Sequence, residues 1–150
     1  MIEGVIIKKL NKNMDERGWL SEFWRNDEMD YQPIMSYVSL TKAGMVRGPH
    51  EHTKQTDCFI FIGPGKFELH LWDRREQSKT EGEYQTVEAG ENEPCLVMVP
   101  PGIVHGYKNI SQLDAYCINL PDKLYRGPGK KEEVDEIRWE KDPESSYKIN

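Results

Sequence analysis

Three of the four histidines fall in two short segments whose flanks constrain the backbone. These are Gly48-Pro49-His50-Glu51-His52 and Pro100-Pro101-Gly102-Ile103-Val104-His105, with Asn109 beyond. An imidazole takes and gives a proton near neutral pH, and its ring nitrogens also ligate metals, so the pattern points to proton transfer or to metal binding. His50 and His52 stand two residues apart; in an extended segment they project to one face, and strand alternation would aim both into a barrel interior. His105 would join them across the barrel. Proline and glycine turns beside the histidines fit a barrel mouth, where binding groups converge. His70 lies mid-strand without a partner and reads as readily as a structural histidine.

The elements that would position these groups are strands. Ile34 to Leu40, Cys58 to Ile62 and Lys66 to Trp72 are rich in β-branched and aromatic residues and are separated by turn formers. Gly63-Pro64-Gly65 divides two of these runs as a hairpin turn does. Shorter strands are expected at Gly4 to Lys9, Trp19 to Trp24, Gln85 to Glu88, Leu96 to Val99 and Asp114 to Asn119. Many short strands and few helical patterns give an all-β closed barrel or sandwich, which hides its sheet edges. Only the charge-rich stretch from Lys130 to Trp139 predicts a short C-terminal helical segment, on the solvated surface.

A chain of 150 residues suits one domain spanning 1–150. With 37% hydrophobic and 31% charged residues it is too apolar to be disordered. The formal net charge of -6 argues against nucleic acid as a partner, so an anionic ligand would need a local basic pocket. No apolar run reaches membrane-spanning length and the first residues do not resemble a signal peptide, so no membrane association is expected and the default location is cytoplasmic. Cys58, Cys95 and Cys117 sit singly in apolar stretches, as buried thiols do.

Four segments in order carry a resemblance to the dTDP-4-dehydrorhamnose 3,5-epimerase family. Asp15-Glu16-Arg17-Gly18-Trp19-Leu20-Ser21-Glu22 is similar to its DxRGxFxE segment, and Val46-Arg47-Gly48-Pro49-His50 to its LRGLH segment. Asp73-Arg74-Arg75 with Ser78, Thr80 and Gly82 resembles DxR followed by SxTxG, and Val99 to Tyr107 resembles IPxGFAHGF. The colinear match runs from about Val5 to Trp139. It implies a cupin (jelly-roll) β-barrel that needs no cofactor, binds a nucleoside-diphosphate 4-keto-6-deoxy sugar and inverts carbons beside the ketone. A ketone acidifies the neighbouring C–H, and a base removes that proton when donors stabilise the enolate oxygen. By resemblance His50 is the base, and Arg47 and His105 polarise the sugar oxygens. Arg17 pairs with the diphosphate, Arg75 likewise, and Glu22 is the candidate contact to the nucleotide base. The family further implies a homodimer in which an N-terminal strand crosses over, so that Arg17 serves the neighbour's ligand.

Three departures bear on the chemistry. Asn119 stands where the family has its acid tyrosine, with Tyr125 on a second family tyrosine; Asp57 stands near the family's lysine; and the chain stops soon after Trp139-Glu140-Lys141-Asp142-Pro143, where a histidine-partnering aspartate would follow. Other readings therefore stay open. Arg47-Gly48-Pro49-His50-Glu51-His52 resembles the RGxHxH motif of 3,4-ketoisomerases, in which His50 and His52 would share the acid and base roles. His50, His52, Asp57 and His105 approximate the ligand set of a cupin that binds a divalent metal ion. A non-catalytic sugar-nucleotide-binding protein would retain the pocket without the reaction.

Overall fold

Phe67, Leu69 and Leu71 recur at every second position of one strand, and all three are fully buried, so the period of two seen in the sequence sets the inner face of a sheet. The computed structural model describes the whole chain, Met1–Asn150. Its strands are β1 (Ile6–Lys9), β2 (Asn13–Asp15), β3 (Gly18–Leu20), β4 (Tyr37–Thr41), β5 (Val46–Glu51) and β6 (Asp57–Phe61). They continue with β7 (Lys66–Asp73), β8 (Tyr84–Gly90), β9 (Cys95–Val99), β10 (Ile103–Asn109), β11 (Ala115–Asn119) and β12 (Ile137–Arg138). Two five-stranded antiparallel sheets, ordered β1-β9-β6-β11-β4 and β12-β5-β10-β7-β8, face each other as a jelly roll, and β2 and β3 form a separate hairpin. The architecture is all-β, as the sequence predicts.

The core between the sheets joins Phe59 and Phe61 to Phe67, Leu69, Val97 and Ile103. Burying each large apolar side chain stabilises the fold by about 1.5–3 kcal/mol. A second cluster of Leu10, Tyr31, Cys58, Ile60 and Leu96 lies on the back of the first sheet under Phe23 and Trp24. Both faces of β6 are therefore covered, which explains its unbroken apolar run. Trp24 is a packing residue, its indole N–H donating to Tyr31 O at 3.1 Å. The three cysteines are buried and free.

Three expectations change. The strand expected over Trp19 to Trp24 ends at Leu20, because Phe23 and Trp24 leave the hairpin to cover the back of the sheet. The segments holding the histidines, β5 and β10, are full strands despite their glycines and prolines. Lys130 to Trp139 is not an α-helix. Left-handed backbone at Gly127, Gly129 and Lys130 (φ 64°, 66° and 58°) breaks it into 3-10 turns at Pro128–Lys130 and Trp139–Lys141. Between them β12 adds to the edge of β5, pairing Ile137 with Glu51 and Arg138 with His50. No helix is long and apolar enough to cross a membrane.

Candidate active site

The site starts where β5 and β10 run unusually close. A Cβ on Gly48 would stand 2.8 Å from His105 O, and one on Gly106 would stand 2.7 Å from Arg47 O, so only glycine permits this approach. The ladder places His50 directly opposite His105, with a register shift between His105 and Tyr107. His105 thus joins His50 from the neighbouring strand and not from across the barrel. Their rings meet edge to face at 4.6 Å between centroids, and His52 lies 5.5 Å from His50. What comes from the opposite sheet is a carboxylate, Asp57 at the start of β6, together with Asn119 at the end of β11.

Asp57 is the hub. Its Oδ2 lies 3.0 Å from His105 Nε2 and 3.3 Å from His52 Nε2, while its Oδ1 accepts hydrogen bonds of 2.8 Å from both Asn119 Nδ2 and Gln55 Nε2. Burial opposes its charge, but the His105 and His52 contacts outweigh burial and hold its carboxyl well below the usual carboxylate range. Burial likewise opposes charge on His52, and contact with Asp57 outweighs it and raises that pKa. The opposite holds for His50. Burial first, then the adjacent His105, push its pKa down to about 2, so its ring is neutral at physiological pH. Glu136 beside β12 approaches His50 Nδ1 at 3.9 Å.

Asn119 does more than support Asp57. Its Oδ1 accepts from Cys58 N at 2.9 Å, and its Nδ2 also donates to the Tyr37 hydroxyl at 2.9 Å. Tyr37 is its cross-strand partner on β4, so the phenol stands beside the position where the resemblance places a tyrosine. Burial pushes its pKa up to about 12, which keeps the phenol protonated. Sequence reasoning missed Tyr37, because the signal lies in strand pairing and not in any motif.

His50, His52, Arg47, Tyr37 and Tyr125 line one pocket of about 910 Å³, within the size range of small-ligand sites. Lys54, Lys123, Arg126 and Lys130 add cationic groups to its wall beside Glu132, Glu133, Asp135, Glu136 and Glu140, so the wall is mixed in charge and an anionic ligand meets individual cations there. Arg47 is fixed there, donating to Thr41 Oγ1 at 2.9 Å and to Leu40 O at 2.7 Å. Tyr125 is half exposed. Other predicted residues are elsewhere. Arg75 does not face the pocket; it donates to both Asp73 oxygens (2.8 Å each) and to Glu3 O (2.6 Å), which makes it a structural brace. Asn119 is fully buried and holds other side chains instead of substrate. Arg17 sits on the β2–β3 turn, paired with Asp15 at 2.6 Å, and Glu22 lies beside Arg25 at 3.3 Å, both outside this chain's pocket. His70 is structural, bonded to the Tyr84 hydroxyl at 2.7 Å and stacked on Trp72.

A jelly roll with a histidine–aspartate cluster beneath a polar pocket defines an RmlC-like cupin, the class to which sugar-nucleotide isomerases belong. Residues 1–146 match the family described as dTDP-4-dehydrorhamnose 3,5-epimerase, and the chain belongs to that family. It is 37% identical over 127 residues to the probable low-salt glycan biosynthesis epimerase Agl13 of Haloferax volcanii, covering 83% of this chain and 81% of that one. It is 35% identical to the spore coat polysaccharide biosynthesis protein SpsL of Bacillus subtilis, covering 83% of each. Among solved structures, a dTDP sugar isomerase from Desulfovibrio desulfuricans shares the fold with a TM-score of 0.81 at 24% identity, over 91% of this chain and 84% of that one. A 3'-monoepimerase from Streptomyces bikiniensis, solved with dTDP-quinovose, shares it with a TM-score of 0.79 at 20% identity, over 91% and 70%. Family membership makes the chain an epimerase acting on nucleotide sugars, an isomerase of carbohydrates.

Proposed function

We propose that the chain, as one cupin domain, epimerises a nucleoside-diphosphate 4-keto-6-deoxy sugar by enolisation beside the ketone, in the synthesis of a surface polysaccharide. The observation that carries this reading is one pocket that holds a neutral imidazole, His50, together with a protonated phenol, Tyr37, so that base and acid are both present in the forms the reaction consumes. His50 accepts the proton from the carbon beside the ketone. An imidazole held so strongly neutral is a weak base, and the negative charge of the enolate formed beside it is what stabilises its protonated form. Tyr37, held by Asn119, returns a proton from the other face and inverts the centre. Tyr125 and Arg47 contact the sugar at the wall, and the cationic residues near the mouth take the diphosphate. The relatives' names, a glycan biosynthesis epimerase and a spore coat polysaccharide protein, support the polysaccharide role.

The 3,4-ketoisomerase reading requires His52 to shuttle protons. Its Nδ1 is turned to Asp135 O and its Nε2 to Asp57 and Gln55, so neither nitrogen is free, and epimerisation is favoured.

We place the enzyme in the cytoplasm as a homodimer with exchanged N-terminal hairpins. Support comes from apolar surface left bare: Met14, Trp19 and Leu20 on the hairpin, and Val38, Leu40 and Tyr116 on the outer face of β4 and β11. In that arrangement Arg17 and Glu22 reach the neighbour's pocket. The test is incubation with a dTDP-4-keto-6-deoxyglucose in deuterated water, with sugar C–H signals followed by NMR. Exchange at C3 or C5 that is lost in His50→Ala is expected; binding without exchange at any carbon overturns the enolising reading.

A further inference from the structure

One wall of the pocket is a single stretch of chain, residues 123–134 between β11 and β12, which supplies Leu124, Tyr125, Arg126, Lys130 and Val134. Every residue in it is exposed except the half-buried Gly127, so no core side chain anchors it. Its hydrogen bonds are mostly to itself: Gly127 N donates to Leu124 O at 2.9 Å, Lys130 N to Gly127 O at 3.1 Å and Glu132 N to Arg126 O at 2.8 Å. One bond leaves the stretch, from Tyr125 N to Met35 Sδ at 3.1 Å. A loop folded on itself, with few buried apolar contacts and few outside bonds, stands at the low-stability end of a structure, from which lids are drawn.

Both ends of the stretch are fixed to the same place, the turn between β5 and β6. At one end Thr56 N donates to Asp122 Oδ1 at 2.9 Å and Asp122 N to Thr56 O at 3.3 Å. At the other, Asp135 Oδ1 accepts from Thr53 N at 3.0 Å and Thr53 Oγ1 at 2.5 Å, and its Oδ2 accepts from Lys54 N at 2.8 Å and Gln55 N at 3.0 Å. The two stems differ in strength. The Asp122 stem is continuous with the sheet, since Leu120 N donates to Cys58 O and Pro121 O accepts from Ile34 N, each at 3.0 Å. The Asp135 stem is held mainly by one carboxylate, and beyond it β12 pairs with β5 only through Ile137 and Arg138. Thr53 and Lys54 are exposed, so water replaces the carboxylate at their N–H groups when it leaves. The Asp135 carbonyl faces His52 Nδ1, which ties this stem to the histidine cluster.

We propose that residues 123–134 are a lid, hinged at Asp122 and latched by the Asp135 carboxylate, which lets go of Thr53–Gln55 to admit the nucleotide sugar and closes again over it. Burial opposes charge on Asp135, but the bonds from Thr53, Lys54 and Gln55 outweigh burial and lower its pKa, so the latch is ionised at neutral pH. The closed lid presents Arg126 and Lys130 to the diphosphate and keeps water from the enolate. What the lid covers rests on the enolising reading; its opening does not.

The experiment follows amide hydrogen exchange in the full-length protein by NMR, with dTDP as the probe ligand. The amides of Thr53, Lys54 and Gln55 donate to Asp135, so their exchange reads release of the latch. The three are expected to share one protection factor, lower than that of β6, and saturating dTDP should raise it about 10-fold. In Asp135→Ala, which keeps the backbone carbonyl, dTDP should dissociate about 10-fold faster while circular dichroism shows the barrel intact. Asp135→Asn, which keeps one acceptor oxygen, should fall between Asp135→Ala and the parent. Three amides that exchange independently, or that ignore bound dTDP, overturn the lid, and an unchanged dissociation rate in folded Asp135→Ala overturns the latch. If Asp135→Ala does not fold, the dissociation rate from Asp135→Asn decides in its place. Parent protein that leaves dTDP unbound counts against the nucleotide-sugar reading, and the lid then stands or falls on whether the three amides exchange together.

Discussion

Replacing Tyr37 by phenylalanine removes one oxygen from the pocket and keeps the ring. The phenol accepts from Asn119 Nδ2 at 2.9 Å, and that amide also donates to Asp57 at 2.8 Å, so the variant leaves one of two amide hydrogens without its partner. A fully buried donor left unpaired costs about 1–3 kcal/mol. Tyr37 is 45% exposed, so pocket water can reach the vacated position, and the stability cost belongs near the lower figure. Loss of a general acid costs about 10²–10⁴ in rate, which is about 3–5 kcal/mol of barrier. The catalytic loss therefore exceeds the stability loss severalfold, and the two separate cleanly. In deuterated water the variant should still exchange the proton beside the ketone, because His50 is intact, but the deuterium should return to the face it left. NMR then reads exchange with retention in place of exchange with inversion. A Tyr37→Phe enzyme that inverts its substrate within about threefold of the parent rate would refute the assignment, since a general acid contributes far more than that.

Asp73 has no exposed side-chain surface and accepts from Arg75, Ser78 and Thr80 at 2.7–2.8 Å. Burial opposes its charge, yet these bonds outweigh burial and depress its pKa. A depressed folded-state pKa gives stabilisation that is complete above about pH 5 and lost as the pH falls through the folded value, so Asp73→Asn should flatten the acid side of the stability profile in urea unfolding. Arg75→Ala should lower the melting temperature without changing KM; a rise in KM alone would return Arg75 to the ligand. Gly48→Ala, at φ 84° with a Cβ 2.8 Å from His105 O, should displace the histidine pair and abolish exchange in protein that still folds, or prevent folding altogether. Val38→Glu on the outer face of β4 should convert a dimer to monomers in light scattering, whereas a parent chain already monomeric at micromolar concentration would remove the strand-exchange proposal.

The sheet was legible because its strands alternate: β7 shows a clean period of two, and β6, buried on both faces, shows an unbroken apolar run. The histidines were legible from their glycine and proline flanks. What stayed hidden was pairing across strands. Nothing in the order of residues puts Asn119 opposite Tyr37 or brings Asp57 beneath His105, since each contact joins positions 48 to 82 residues apart. The C-terminal stretch misled for a different reason. Its charges suggested a solvated helix, but left-handed backbone at Gly127 and Gly129 stops one from starting, and the segment adds to an open sheet edge instead.

The family positions that differ here are bonded to one another. Asn119, where a tyrosine is expected, donates to Asp57, near the expected lysine, and the same amide donates to Tyr37 on the adjoining strand. Random loss of catalytic groups would leave unpaired polar atoms in the core, and each would cost about 1–3 kcal/mol. Instead Asp57 gains four nitrogen partners and Asn119 uses both of its polar atoms. A chain that only bound sugar nucleotides would have no need to hold a phenol beside a neutral imidazole or to converge two imidazoles on one carboxylate. Exchange with retention in Tyr37→Phe and slowed exchange in Asp57→Asn probe the two ends of this one network. Asn119→Ala, which removes the side chain that bonds both Asp57 and Tyr37, should impair both readouts together if the network acts as a unit.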